Sequence, residues 1–155
     1  MKIYKLERKQ NIPISLSEAW DFFSRPENLS KITPAKMGFK ILSDVKDIEM
    51  HEGMIIHYIV KPLFGIPLKW ETEIKNVKDK GYFMDTQNRG PYKLWQHTHI
   101  FKEIPNGVEM TDIVEYALPF GILGQLMNSL VVSNQLKNIF DYRVNAVIEL
   151  FGHYN

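Results

Sequence analysis

The sequence predicts an α+β protein: a curved antiparallel sheet of about seven strands wrapped around one long C-terminal helix, with two short helices after the first strand. Three observations predict this. Residues 38–118 alternate apolar and polar side chains with period two, and turn residues divide the run at regular intervals. Residues 121–150 repeat apolar side chains at three- and four-residue spacing with no proline among them. A helix start stands between the first strand and the rest of the sheet, so the order is strand, short helices, strands, long helix.

Each element has its own signal. Residues 1–12 alternate and end at Pro13, which predicts the first strand. Ser15 and Glu18 stand three apart, as in a capping box, where each side chain satisfies a free backbone N–H of the first helical turn. Ala19, Trp20, Phe22 and Phe23 supply that helix with a buried stripe, and Arg25-Pro26 breaks it. Pro26 then opens a second short helix, which Thr33-Pro34 ends. Six strands are expected at about 39–45, 53–61, 67–77, 80–87, 93–104 and 107–118. Their turns fall at Glu52-Gly53, Lys61–Pro67, Asp79-Lys80-Gly81, Asn88–Pro91 and Pro105-Asn106-Gly107. The final helix, about 30 residues long, would span roughly 45 Å. Its broad stripe, from Ile122 to Ile148, predicts packing against the sheet.

Composition narrows the function classes. With 155 residues the chain reads as one domain, 1–155, and a domain of this size buries roughly 70% of its unfolded surface. It has no cysteine, which excludes disulfides, thiolate metal sites and a cysteine nucleophile. Nineteen Lys and Arg against eighteen Asp and Glu are interspersed, so no basic face for nucleic acid is expected. The first residues lack the apolar core of a signal peptide and no apolar run is long enough to span a bilayer. A cytoplasmic protein with no stable membrane insertion is therefore expected.

Parity identifies the inner face. On a hairpin turning at Asn106-Gly107 or Pro105-Asn106, Trp95, His97, His99 and Phe101 share a face with Met110, Asp112, Val114 and Tyr116. On 67–77 the inner set is Leu68, Trp70, Thr72 and Ile74. On 53–61 it is Met54, Ile56, Tyr58 and Val60. An aromatic face with a few polar atoms is the usual lining of a ligand pocket. The alternative is a solid core in which those groups satisfy one another.

Ser17–Phe23 with Pro26–Leu29 and Ile32-Thr33-Pro34, then Gly90-Pro91-Tyr92 with Trp95, His97, His99 and Phe101, form a recognisable series. It continues through Asp112, Val114, Tyr116, Leu118–Gly121 and Ile139–Arg143. Over essentially its whole length the chain resembles the SRPBCC superfamily of START, birch-pollen-allergen and polyketide cyclase proteins. It is most similar to small bacterial ligand-binding members labelled cell-division-inhibitor-like. The resemblance implies the helix-grip fold and a deep cavity between sheet and long helix. It does not name a ligand, because this superfamily hosts carriers, receptors, cyclases and oxygenase domains.

The leading expectation is therefore a binder of a small hydrophobic or amphipathic molecule, in a cavity above about 300 Å³. The ligand-binding candidates are Tyr58, Trp70, Trp95, His97, His99, Phe101, Met110, Asp112, Tyr116 and Arg143. The first alternative is a cyclase- or dehydratase-type enzyme in which His97, His99 and Asp112 exchange protons with substrate. The second is a protein-interaction module using the long helix or the apolar loop Pro62–Pro67. Two imidazoles two residues apart could ligate a metal, but a site needs three or four ligands and Asp112 is the one carboxylate of suitable parity. No metal and no cofactor is expected. Nor does the chain contain a glycine-rich phosphate loop or a Gly-x-Ser-x-Gly elbow.

Overall fold

The computed structural model describes residues 1–62 and 64–155. Seven strands form one sheet: β1 (Tyr4–Ile12), β2 (Lys40–Ile41), β3 (Ile55–Val60), β4 (Leu68–Lys78), β5 (Tyr82–Arg89), β6 (Leu94–Ile104) and β7 (Gly107–Ala117). Every pairing is antiparallel and the spatial order is β1-β7-β6-β5-β4-β3-β2. The first strand thus crosses to the far edge and pairs with the last. Register shifts in the β4–β5 ladder, between Glu71 and Thr72 and between Lys75 and Lys78, add local bends. At the second, Asn76 takes φ +53°, and the Glu52 carboxylate accepts the N–H groups of Asn76 and Val77.

Helix α1 (Leu16–Phe23) follows β1 and has the expected capping box. Ser15 Oγ accepts from Glu18 N at 3.1 Å, and Glu18 Oε2 accepts from Ser15 N at 3.0 Å. Its inner face carries Ala19, Trp20 and Phe23. The Trp20 ring meets Phe83 and Phe101 edge-on, closing one end of the sheet's concave side. The second short helix is a 3₁₀ helix, Pro26–Ile32, and a further 3₁₀ turn follows at Ala35–Met37.

The β6–β7 hairpin turns at Pro105-Asn106, the second of the two registers compatible with the sequence. Ile104 faces Gly107, and Asn106 holds φ +60°. The parity assignment holds: Trp95 faces Tyr116, His97 faces Val114, His99 faces Asp112 and Phe101 faces Met110. On β4 the buried positions are Trp70, Thr72 and Ile74.

Two expectations are corrected: the length of the strand at 39–45 and the inward packing of the whole helix stripe. The strand expected at 39–45 shrinks to Lys40–Ile41, because β3 offers it only two paired residues. The chain then turns through Asp47 (φ +57°), and Met50 N donates to Ser24 O instead of to a strand. The long C-terminal helix is present as expected, over 121–151, but it carries a π-helical turn: it runs as α2 (Gly121–Met127), the π turn (Asn128–Val132) and α3 (Ser133–Phe151) without a break. The wider π turn changes the phase of the apolar stripe. Asn128 points inward there, where its Oδ1 accepts from the Tyr116 hydroxyl at 2.8 Å. From Val132 onward Leu136, Phe140, Arg143, Ala146 and Val147 are buried. Before it, Ile122, Leu123, Leu126 and Leu130 lie exposed, so only the second part of the predicted stripe packs inward. Of the loop Pro62–Pro67, Leu63 lies outside the described residues; Phe64 and Ile66 are exposed. Among the described residues no helix is long and apolar enough to cross a membrane.

Candidate functional site

The core divides into two apolar clusters. One gathers around Trp20, Phe23, Phe83, Phe101, Met110 and Val147. The other contains Val114, Tyr116, Val132, Leu136 and Phe140. On each contributing element a polar residue stands between them: His97 and His99 on β6, Asp112 on β7 and Arg143 on α3. Asp85 on β5 joins these four.

Strand alternation brings the groups together. His97 and His99 are two apart and point inward, and their ring centroids lie 3.7 Å apart. Asp112 pairs with His99 across the hairpin, and Asp85 pairs with His97 on the other side of β6. Each imidazole therefore lies between two carboxylates. His97 Nε2 is 2.8 Å from Asp112 Oδ1, and its Nδ1 is 3.4 Å from Asp85 Oδ2. His99 Nε2 is 2.8 Å from Asp85 Oδ2, and its Nδ1 is 3.1 Å from Asp112 Oδ1. Arg143 reaches in from α3, with Nη2 3.4 Å from Asp112 Oδ1. Trp95 Nε1 donates to Asp85 Oδ1 at 3.2 Å.

Burial penalises every charge here, so the charged forms persist only by pairing. Burial pushes Asp112 up, but Arg143 and the hydrogen bonds of His97 and His99 outweigh it and hold this carboxyl well below its usual range. Asp85 is likewise lowered, against burial, by His97, His99 and Trp95. His99, hydrogen-bonded to both carboxylates, is raised despite its burial. His97 is lowered by burial and by its neighbour His99. The consistent assignment is two carboxylates, one imidazolium (His99), one guanidinium (Arg143) and a neutral His97, with no net charge. Arg143 Nη2 also lies 3.4 Å from His99 Nδ1. With His99 charged both groups are donors, and Asp112 Oδ1 accepts from the two.

A cavity of about 160 Å³ adjoins this cluster. Tyr58, Trp70, Phe83, Tyr92, Trp95 and Phe140 form much of its wall, and Asp85, His97, His99 and Arg143 form its polar end. Across it, Tyr58 and Thr72 hydroxyls bond each other at 2.9 Å, and Gln135 on α3 donates to Pro62 O. The indole N–H of Trp70 is buried and has no partner among the described residues.

Of the ten candidates from sequence, Tyr58, Trp70, Trp95, His97, His99 and Arg143 line the cavity. Four do not. Phe101 and Met110 belong to the apolar cluster near α1, Tyr116 bonds Asn128, and Asp112 sits behind the two imidazoles. Asp85 was missed. Its signal is the phase of β5, since Phe83 and Asp85 share parity. Recognising it requires knowing that β5 pairs with β6.

No protein-family model matches the chain, and no curated protein matches its sequence. Solved structures match along almost its whole length. The ginseng major latex-like protein 151 from Panax ginseng superposes with a TM-score of 0.69 at 13% identity, covering 96% of this chain and 97% of that one. CV1439 from Chromobacterium violaceum gives 0.69 at 11% identity, over 97% of this chain and 98% of its own. Ms6760 from Mycobacterium smegmatis gives 0.67 at 14%, over 94% and 89%. At these identities the likeness concerns the fold, and that fold is the helix-grip type.

Proposed function

We propose that the chain binds a compact, largely apolar molecule of one or two rings between the sheet and α3, as a ligand-binding member of the SRPBCC superfamily that its sequence resembles. The observation that carries this reading is the apolar cavity with aromatic rings in its wall and Asp85, His97, His99 and Arg143 at its polar end. The cavity is about half the 300 Å³ expected from sequence, which argues against a lipid-length chain in this conformation. A cavity of about 150 Å³ is large enough for benzene.

The test is native mass spectrometry of freshly purified protein, organic extraction of anything released, and titration with phenol, indole and naphthol followed by tryptophan fluorescence. Saturable quenching or a co-purifying aromatic supports the reading. A clean apo mass with no saturable response up to about 1 mM, a binding free energy of about −4 kcal/mol, would sink it.

The acid–base alternative changes its carboxylate. Asp112 does not line the cavity, so Asp85 with His97 is the pair that would meet a substrate. A second reading, an interaction surface, is favoured by the apolar side chains of α2 and its approach, with Phe120 81%, Ile122 84% and Leu123 69% exposed. Concentration-dependent self-association abolished by Leu123→Asp would support it. A strict monomer would count against it.

A further inference from the structure

We propose that Asp85, His97 and His99 form a binding site for one divalent transition-metal ion of the zinc or iron class, at the polar end of the cavity. This goes beyond the binding of an organic ligand and does not depend on it.

Two imidazole nitrogens and one carboxylate oxygen suit borderline ions such as Zn²⁺, Fe²⁺ and Co²⁺, not Mg²⁺ or Ca²⁺. One donor atom from each of the three residues lies within 4.8 Å of the others. The spacing is close to that of a ligand set. With metal–ligand bonds of about 2.0–2.1 Å, neighbouring ligand atoms stand about 2.9 Å apart in an octahedral site and about 3.4 Å apart in a tetrahedral one. Asp85 Oδ2 is 2.8 Å from His99 Nε2 and 3.4 Å from His97 Nδ1. An ion entering here would replace proton-mediated contacts with coordination bonds.

The atoms turned away from the ion are also held. Histidine ligands generally donate their second ring N–H to a carboxylate or carbonyl, which fixes the ring. Here one oxygen of Asp112 serves both rings, at 2.8 Å from His97 Nε2 and 3.1 Å from His99 Nδ1, and Arg143 steadies that carboxylate. The free oxygen of Asp85 accepts from Trp95. All three ligands line the cavity, whereas Asp112 does not. The remaining coordination positions would therefore face the cavity, as in sites that hold water or a small ligand on the metal.

The test uses Co²⁺ and Zn²⁺ alone, with chelator-treated protein. Wild type should take up one equivalent, and Co²⁺ should show visible ligand-field bands. Asp85→Ala and His99→Ala should lose at least about 100-fold in affinity. Asp112→Asn should lose about 10–100-fold, the usual effect of removing the group that orients a histidine ligand. His57→Ala, which removes a surface imidazole bonded to Glu71, should change nothing. If the cluster variants fail to fold, wild-type NMR decides. Bound Co²⁺ should shift or broaden Phe83, whose ring stacks 4.3 Å from His99, and the Trp95 indole. Absence of binding tighter than about 1 mM would overturn the proposal. So would Co²⁺ that perturbs only His51, His57 or His153, or variants that fold and bind as wild type does.

Discussion

Asp112→Asn keeps the shape of a buried side chain and removes one charge. Asp112 Oδ1 accepts from His97 Nε2, His99 Nδ1 and Arg143 Nη2 at 2.8, 3.1 and 3.4 Å. The carboxylate is 3% exposed, so water cannot replace what is lost. The neutral amide would leave Arg143 and His99 facing a single carboxylate, Asp85, with an uncompensated positive charge in the core. Breaking a buried ion pair by removing one partner costs about 3–5 kcal/mol. For a domain of this size each kcal/mol lowers Tm by about 2–4 °C, so a fall of roughly 6–20 °C is expected. Urea denaturation of chelator-treated protein, followed by far-UV circular dichroism, measures the loss directly. The partner variant separates charge from shape. Combining Asp112→Asn with Arg143→Met should recover at least about 1 kcal/mol relative to the sum of the single losses, because residues sharing one network do not add. A loss below about 1 kcal/mol with an unchanged m-value would mean that Asp112 acts as an ordinary neutral hydrogen-bond acceptor. The charge-balanced description of the cluster would then be wrong.

The same groups fix a pH response in the chelator-treated protein. Asp85 and Asp112 are lowered, so their stabilisation is complete above about pH 4 and is lost as the pH falls through their folded values. His97 is lowered and adds loss below about pH 6.5; His99 is raised, and its stabilisation is present below about pH 6.5 and fades as the pH rises through its folded value. Urea midpoints at about pH 2, 4 and 6 should therefore fall steeply on the acid side, and a flat acid limb would contradict the pairing. Phe83→Ala removes a ring that is 1% exposed and stacked on His99, and should cost about 3–5 kcal/mol in the same assay. Gly124→Ala would press a methyl group onto Pro119 O, costing about 1–3 kcal/mol and raising hydrogen exchange in α2; unchanged exchange would show that this seat is not tight. Trp70→Phe deletes an unpaired N–H and should leave stability equal or slightly higher.

Local rules made much of the fold legible. The capping box at Ser15 and Glu18 involves residues three apart, and both of its bonds are present. The inner faces of β4, β6 and β7 follow from alternation, which fixes parity whatever the register. The failures arise where distant partners decide. The run 39–45 alternates well enough for a strand, yet β3 can pair with only Lys40 and Ile41. The stripe from Ile122 to Leu130 has helical spacing, but the π turn around buried Asn128 leaves that part outside the core. Asp85 reaches the site through the β5–β6 register, a contact that no spacing within its own segment displays. The size of the cavity was equally beyond reach, since it depends on how closely rings from β3, β4 and β6 pack, not on which rings face inward.

The polar cluster itself bears on function through its cost. Replacing a buried ion pair by well-packed apolar residues is commonly neutral or stabilising, so five polar side chains in this core are a poor means of holding a sheet to a helix. The surroundings offer an apolar route at every neighbouring position. The positions flanking the cluster on α3, β6 and β7 are Phe140 and Val147, Trp95 and Phe101, and Met110 and Val114, and all belong to well-packed clusters. Stability therefore accounts for those neighbours but not for the interruption. What the interruption does provide is asymmetry in the cavity, which is apolar over most of its wall and polar at one end. A uniformly apolar cavity would hold a ring in many orientations, whereas one polar end gives it a preferred one. If Asp85, His97 and His99 were replaced together by Val, Leu and Phe, a purely structural cluster would leave stability equal or higher and the binding of small aromatics unchanged. Orientation by that end predicts equal or higher stability with a loss of discrimination between indole and naphthalene. Retention of that discrimination in the triple variant would return the cluster to a structural role.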